Sequence, residues 1–278
     1  MTSPYLLDLP AVVSFSGGRT SGYMLRKILD AHGGQPEDLV ISFQNTGLEH
    51  AGTYEFVERV AKEWGVDIVW LEYDLDEDNK PTHRVVTPET ASRNGEPFTK
   101  MLENQAFLPN TFRRKCTIEL KIKTLERYLK TQPFFTDGYT QAVGLRADEP
   151  RRAARTIADD GLVSKECPLY RDGKDSQDVL EFWNAQTFDL DLPLPGNLAG
   201  NCVGCFLKGR GKTEVLMREM PEYFDWWVRA EAFVSEKRGR PCQFDQKRPT
   251  YKAMMKSVWD QGVFEYEDDD TIPCMCTD

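Results

Sequence analysis

The stretch Ser14-Phe15-Ser16-Gly17-Gly18-Arg19-Thr20-Ser21-Gly22-Tyr23-Met24-Leu25 follows the apolar run Ala11-Val12-Val13 and leads directly into a helix-like pattern. A buried strand that ends in small residues and passes at once into a helix leaves several backbone N–H groups unpaired. Together with the positive end of the helix dipole, these aim at one point. Such a point suits an anion. Gly17 and Gly18 allow unusual φ values and close backbone approach, and Ser14, Ser16, Thr20 and Ser21 can add hydroxyl donors, with Arg19 as a neighbouring cation. The pattern is neither GxxxxGK[ST] nor GxGxxG, which counts against kinase-type and dinucleotide readings.

Working outward, three apolar, β-branched runs at residues 11–15, 39–43 and 67–72 alternate with helical periodicity around 20–31 and 53–64. This alternation predicts βαβ units and an α/β fold: a doubly wound, mostly parallel sheet of Rossmann-like type whose ligands bind at the C-terminal strand ends. Asn45-Thr46-Gly47-Leu48-Glu49 follows the second run and offers a second pocket wall, with Asn45, Thr46 and Gly47 as candidates. Residues 74–112, punctuated by Pro81, Pro88, Pro97 and Pro109, read as an excursion with little regular structure and a candidate lid. Ile118, Ile122, Leu125 and Leu129 recur at helical spacing, and Tyr139 to Leu145 reads as another core strand. The nucleotide-binding α/β domain is expected over residues 1–165. A helical and loop region carrying the remaining cysteine motifs follows over 166–278, with an aromatic-rich helix near 213–236 whose Trp226 and Trp227 are core residues.

With 278 residues and 40% hydrophobic content, the chain can bury a full core. Its net charge of -10 disfavours an extended nucleic-acid surface. No secretion-signal pattern opens the sequence and no apolar run approaches the ~18 residues of a membrane span, so a cytoplasmic protein without membrane partners is expected. Seven cysteines without such a signal point to free thiols, metal ligation or redox chemistry. Cys116 lies in Arg113-Arg114-Lys115-Cys116-Thr117, where a helix N-terminus and three cations favour thiolate. Cys202 and Cys205 form CVGC in a glycine-bearing loop suited to gripping a metal centre. Cys274 and Cys276 form CMC near the end. Cys167 reads as a buried structural thiol and Cys242 has no partner spacing. His32, His50 and His83 share no ligand spacing. Gly144 and Arg146, with Arg151, Arg152 and Arg155 just beyond the fourth strand, add a local basic concentration suited to a small multi-phosphate or sulfate ligand.

SGGRTS, NTGLEHAGT, RRKCTIELK, GLRADEPRR and CPLY together resemble the adenine-nucleotide α-hydrolase, or PP-loop, group, specifically the phosphoadenosine phosphosulfate reductase family, over roughly residues 11–210. The resemblance implies that the glycine loop binds nucleotide phosphate or sulfate and that Cys116, Cys202 and Cys205 are ligands of a 4Fe-4S cluster. It also implies an adenine nucleotide ligand (PAPS, APS or ATP), a tail cysteine, Cys274 or Cys276, as nucleophile on sulfur, and a thioredoxin-like reductant. Two departures stand out: Thr20 replaces an aspartate, and Thr117 replaces the second cysteine of an adjacent pair. The fourth iron site is then open or is filled by the tail. Two alternatives remain beside the reductase: an ATP pyrophosphatase that requires Mg and activates a tRNA or DNA substrate for sulfur transfer, and a noncatalytic nucleotide-binding module.

Overall fold

The computed structural model describes residues 3–260. The first half runs β1 (Ala11–Ser14), α1 (Arg19–His32), β2 (Leu39–Gln44), α2 (Ala51–Trp64), β3 (Ile68–Leu75), β4 (Pro81–Val86) and α3 (Glu96–Gln105). A π-helical turn (Thr117–Ile122) leads into α4 (Lys123–Leu129), followed by β5 (Tyr139–Val143), α5 (Pro150–Thr156), β6 (Ala158–Asp159) and β7 (Val163–Glu166). Then come α6 (Pro168–Arg171), α7 (Ser176–Asn184), α8 (Arg210–Glu219), α9 (Asp225–Arg238) and α10 (Tyr251–Asp260).

The strands form one sheet of order β4-β3-β2-β1-β5-β7-β6, parallel except for the antiparallel edge strands β4 and β6. This is the expected α/β fold with a mainly helical C-terminal region. The alternation of side chains along β1 shows why its sequence is apolar from Ala11 to Val13. Ala11, Val13 and Phe15 enter a core with α1, α2 and α7, whereas Val12 enters one with Leu125 and Leu129 of α4 on the opposite face. Successive strands move outward from β1 to β2 and β3, and the chain then returns to the other side of β1 as β5. That reversal opens a crevice beyond the C-terminal ends of β1 and β5.

A further apolar cluster joins Phe98, Met101 and Leu102 of α3 to Leu216, Trp226, Trp227, Phe244 and Tyr251. Its aromatic rings pack closely, with centroids 4.7 Å apart for Phe98–Trp226 and 5.0 Å for Trp227–Phe244. The division of the core differs from the linear order of the chain: Leu169, Val179 and Trp183 pack with the sheet, and α3 packs with the C-terminal helices.

Residues 74–112 are more regular than their prolines suggest. Pro81 opens edge strand β4, where Thr82 to Val86 pair antiparallel with β3, and α3 presents Phe98, Met101 and Leu102 to the apolar cluster. The expected aromatic helix near 213–236 is interrupted, because Pro221 starts a 3-10 turn between α8 and α9. Trp226 and Trp227 are buried, and burial pushes the Cys167 thiol up to about 12, in keeping with a structural residue. Among the described residues, no helix is long and apolar enough to cross a membrane.

Candidate functional site

The glycine loop is built by its own neighbours. Gly17 sits at φ 77°, and a Cβ there would stand 2.7 Å from Thr53 Cγ2 and 3.0 Å from Val57 Cγ2. The backbone can therefore turn between β1 and α1 only without a side chain. Gly18 caps α1 with no side-chain hydrogen bond. Ser21 Oγ accepts the Ser16 N–H at 3.2 Å, donates to Gly18 O at 3.1 Å and lies 2.9 Å from Ser16 Oγ. Gly144 lets β5 approach this turn, since a Cβ on it would lie 3.0 Å from Ser21 Cα.

Beyond the strand ends lies a cleft of about 200 Å³ lined by Ser14, Ser16, Gln44, Gln141, Thr117, Lys121, Ile122, Leu125, Val143, Arg155, Thr156, Ala158 and Lys165. Gln141 Nε2 donates to Ser14 Oγ at 2.9 Å, which joins the β5 and β1 ends in one polar wall. Ile122, Leu125 and Val143 give an apolar flank of the kind a planar base can use, and Lys121, Arg155 and Lys165 supply positive charge.

A narrower chamber touches Ser16, Gly17, Gly18, Thr53, Leu190, Asn197, Gly200 and Asn201. Ser16 lines both cavities. Thr117, in the cleft, adjoins Cys116, and Asn201, in the chamber, adjoins Cys202. The cysteine-bearing segments thus flank the two spaces that meet at the glycine loop.

Several sequence-derived candidates serve the architecture of the site. Arg19 forms an ion pair with Asp189, 2.7 Å from Nε, and donates to Leu190 O at 2.8 Å, which fastens the segment after α7 to the loop. Thr20 Oγ1 accepts from Arg146 Nη1 at 3.0 Å, and Arg146 also pairs with Asp148 at 2.9 Å. Asn45 is buried: it donates to Glu72 Oε1 at 2.7 Å and Ser92 O at 2.8 Å and accepts the Gly47 N–H at 2.9 Å, so its amide shapes the second wall. Gly47 has φ 76°, and a Cβ there would meet Gly95 N at 2.7 Å.

Thr46 connects that wall to the cysteines. Its hydroxyl lies 2.8 Å from Glu49 Oε1 and 3.3 Å from Cys202 Sγ. Glu49 is buried and also accepts the Thr46 and Leu48 N–H groups and the Tyr54 hydroxyl, each at 3.2 Å. The Val203 N–H donates to Leu48 O at 3.0 Å, and Glu49 and Cys202 form a β-bridge. Burial pushes the Cys202 thiol well up, with the Glu49 carboxylate adding to the effect and Lys121 opposing it.

Cys116, Cys202 and Cys205 all border the apolar cluster of the C-terminal helices. Among the described residues, no three Cys, His, Asp or Glu side chains stand close enough to share one metal ion. Thiols are the donor type that an iron–sulfur cluster takes, spread over several irons. Cys274 and Cys276 lie outside the described residues.

Sequence reasoning did not single out Gln44, Gln141, Lys165, Thr53 or Asn197. Gln44 carried a signal as a polar residue closing an apolar strand, whereas Gln141 stands mid-strand in β5 and is brought to the cleft by the fold. Thr53 and Asn197 reach the loop only through tertiary packing.

No protein-family model matches the chain. Over 211 residues it is 32% identical to the nin region protein ORF290 of Escherichia phage lambda, a protein described as uncharacterized, with the match covering 72% of this chain and 67% of that one.

Proposed function

The chain belongs to the family of the phage lambda nin region protein ORF290, and for this member we propose an adenine-nucleotide-binding enzyme that reduces a sulfonucleotide to sulfite. The observation that carries the reading is the sharing of Ser16 by two cavities flanked by cysteine-bearing segments. In a chain of net charge -10, three cations at one cleft favour a local anionic ligand over an extended polyanion.

In this reading the base lies along Ile122, Leu125 and Val143, Lys121, Arg155 and Lys165 neutralise phosphate, and the α1 N-terminus holds the sulfuryl end. A cysteine thiolate attacks the sulfuryl sulfur. The S–O bond to the nucleotide phosphate breaks, its electron pair leaves with the adenosine phosphate, and an enzyme thiosulfonate forms. A second thiol, giving up its proton, attacks the enzyme sulfur and releases sulfite with formation of a disulfide, which an external dithiol protein of thioredoxin type reduces. Cys274 and Cys276 are the proposed source of the nucleophile. Cys116, Cys202 and Cys205 would hold a 4Fe-4S cluster, which when bound would supply an electrophilic iron centre.

Anaerobically purified protein tests the proposal through iron and acid-labile sulfide content, sulfite release from adenylyl sulfates with a dithiol donor, and pyrophosphate release from ATP with Mg. Sulfite production is expected. Pyrophosphate without sulfite would replace the reductase with the ATP pyrophosphatase, and binding without either product would leave a noncatalytic module.

A further inference from the structure

Thr53 sits in the first turn of α2 and is only 3% exposed, yet its hydroxyl has no hydrogen-bond partner among the described residues. A buried hydroxyl without a partner costs stability, and threonines in helices commonly satisfy theirs on a preceding carbonyl. Its methyl group packs against Gly17, where a Cβ would stand 2.7 Å from Thr53 Cγ2. The side chain lines the chamber at the N-terminus of the 14-residue helix α1, whose cap residue provides no side-chain partner. Asn197 lines the same chamber, and its Oδ1 is likewise unpartnered among the described residues. The bare backbone of Gly200 holds that amide: a Cβ at Gly200 would lie 2.3 Å from Asn197 Oδ1. Asn197 is itself left-handed, at φ 58°, a conformation asparagine adopts readily.

These two polar groups come from different segments and meet at one helix N-terminus. We infer that Thr53 and Asn197 are the side-chain donors that grip the terminal anion of the nucleotide, an inference that rests on the proposed nucleotide reading. The Thr53 hydroxyl and, once its amide turns, Asn197 Nδ2 both donate to the one outer oxygen that the chamber admits. The chamber, of about 10 Å³, has room for one water-sized group, enough for an outer oxygen of a single tetrahedral anion. The residues that line it carry no charge, so its stabilisation comes from neutral dipoles. Neutral dipoles suit a singly charged sulfuryl group better than a more highly charged terminal phosphoryl group, which requires a cation to offset its desolvation. Thr53 and Asn197 therefore determine specificity as well as grip.

Isothermal calorimetry with adenosine 5′-phosphosulfate, ADP and AMP tests this, because the first two differ chiefly in the charge of the terminal group. Wild-type protein is expected to bind the phosphosulfate more tightly than ADP. Thr53→Val should weaken phosphosulfate binding by about tenfold or more while leaving AMP within about twofold, and Thr53→Ser should restore it. Asn197→Ala, in a half-buried turn, should reproduce the selective loss and carries the test if Thr53→Val fails to fold. A folded Thr53→Val protein that binds phosphosulfate like wild type, or that loses AMP equally, overturns this inference alone. Wild-type protein that binds none of the three overturns the nucleotide reading and this inference with it.

Discussion

The glycine loop and the cysteine wall flank the same pair of cavities but are held by different means. The loop is assembled from nearby residues: Ser16, Gly18 and Ser21 satisfy one another, and Gly17 is fitted against α2 and β2 by steric exclusion. The cysteine wall is assembled from distant segments. Lys208 Nζ donates to Gly200 O at 2.7 Å and Cys202 O at 2.8 Å, and the Tyr251 hydroxyl donates to Gly204 O at 2.6 Å. Glu49 and Thr46 complete the attachment from the sheet side. A tight strand-to-helix turn can be encoded in a few consecutive residues, whereas the cysteine-bearing segments are held by contacts from across the fold.

The largest expected effect tests the local half. Gly17→Val places a β-branched side chain at φ 77° against Thr53, Val57 and Phe43. It should abolish nucleotide binding in calorimetry and cost about 3 kcal/mol or more in urea unfolding. Tolerance of valine there would break the contrast. Next, Glu49→Ala removes the acceptor for two buried N–H groups and two hydroxyls, and should cost about 3 to 4 kcal/mol by the same measurement.

A pH dependence sharpens the distributed half. Glu231 accepts the Tyr251 N–H at 2.8 Å and the Phe244 N–H at 3.2 Å, and burial pushes its carboxyl up to about 7 from 4.5. Between those values the folded chain keeps a proton that the unfolded chain has lost, so this group's contribution to stability declines as pH rises through the window. Glu231→Gln should flatten that slope, worth about 2 to 3 kcal/mol across the window, when unfolding is followed from pH 4.5 to 7. An unchanged slope would remove Glu231 from the account. The smallest effect is expected for Arg19→Ala. It breaks a pair that is more than one-third exposed on both sides and should cost less than about 1 kcal/mol, with nucleotide affinity nearly unchanged.

The parallel sheet was legible because both of its faces are buried, giving Ala11 to Val13 and Leu39 to Ile41 their unbroken apolar runs. The Gly17 turn was legible because only glycine tolerates its conformation and contacts. Edge strand β4 was hidden, since it starts with a proline and exposes much of Thr82-His83-Arg84-Val85. Helix α3 was hidden as well, because its cap is left-handed Gly95 with no Ser, Thr, Asp or Asn signal at that position. Arg19 read as an anion ligand because its ion-pair partner, Asp189, lies 170 positions downstream. Thr53 gave no signal by itself: its significance comes from an unpartnered hydroxyl, which only the packed fold displays.

Calorimetric titration of the reduced, anaerobically purified protein with adenosine 5′-phosphosulfate tests the central claim most directly. The account predicts binding at about micromolar affinity that Gly17→Val abolishes. Absence of binding at millimolar ligand, or equal binding by the valine variant, would contradict it.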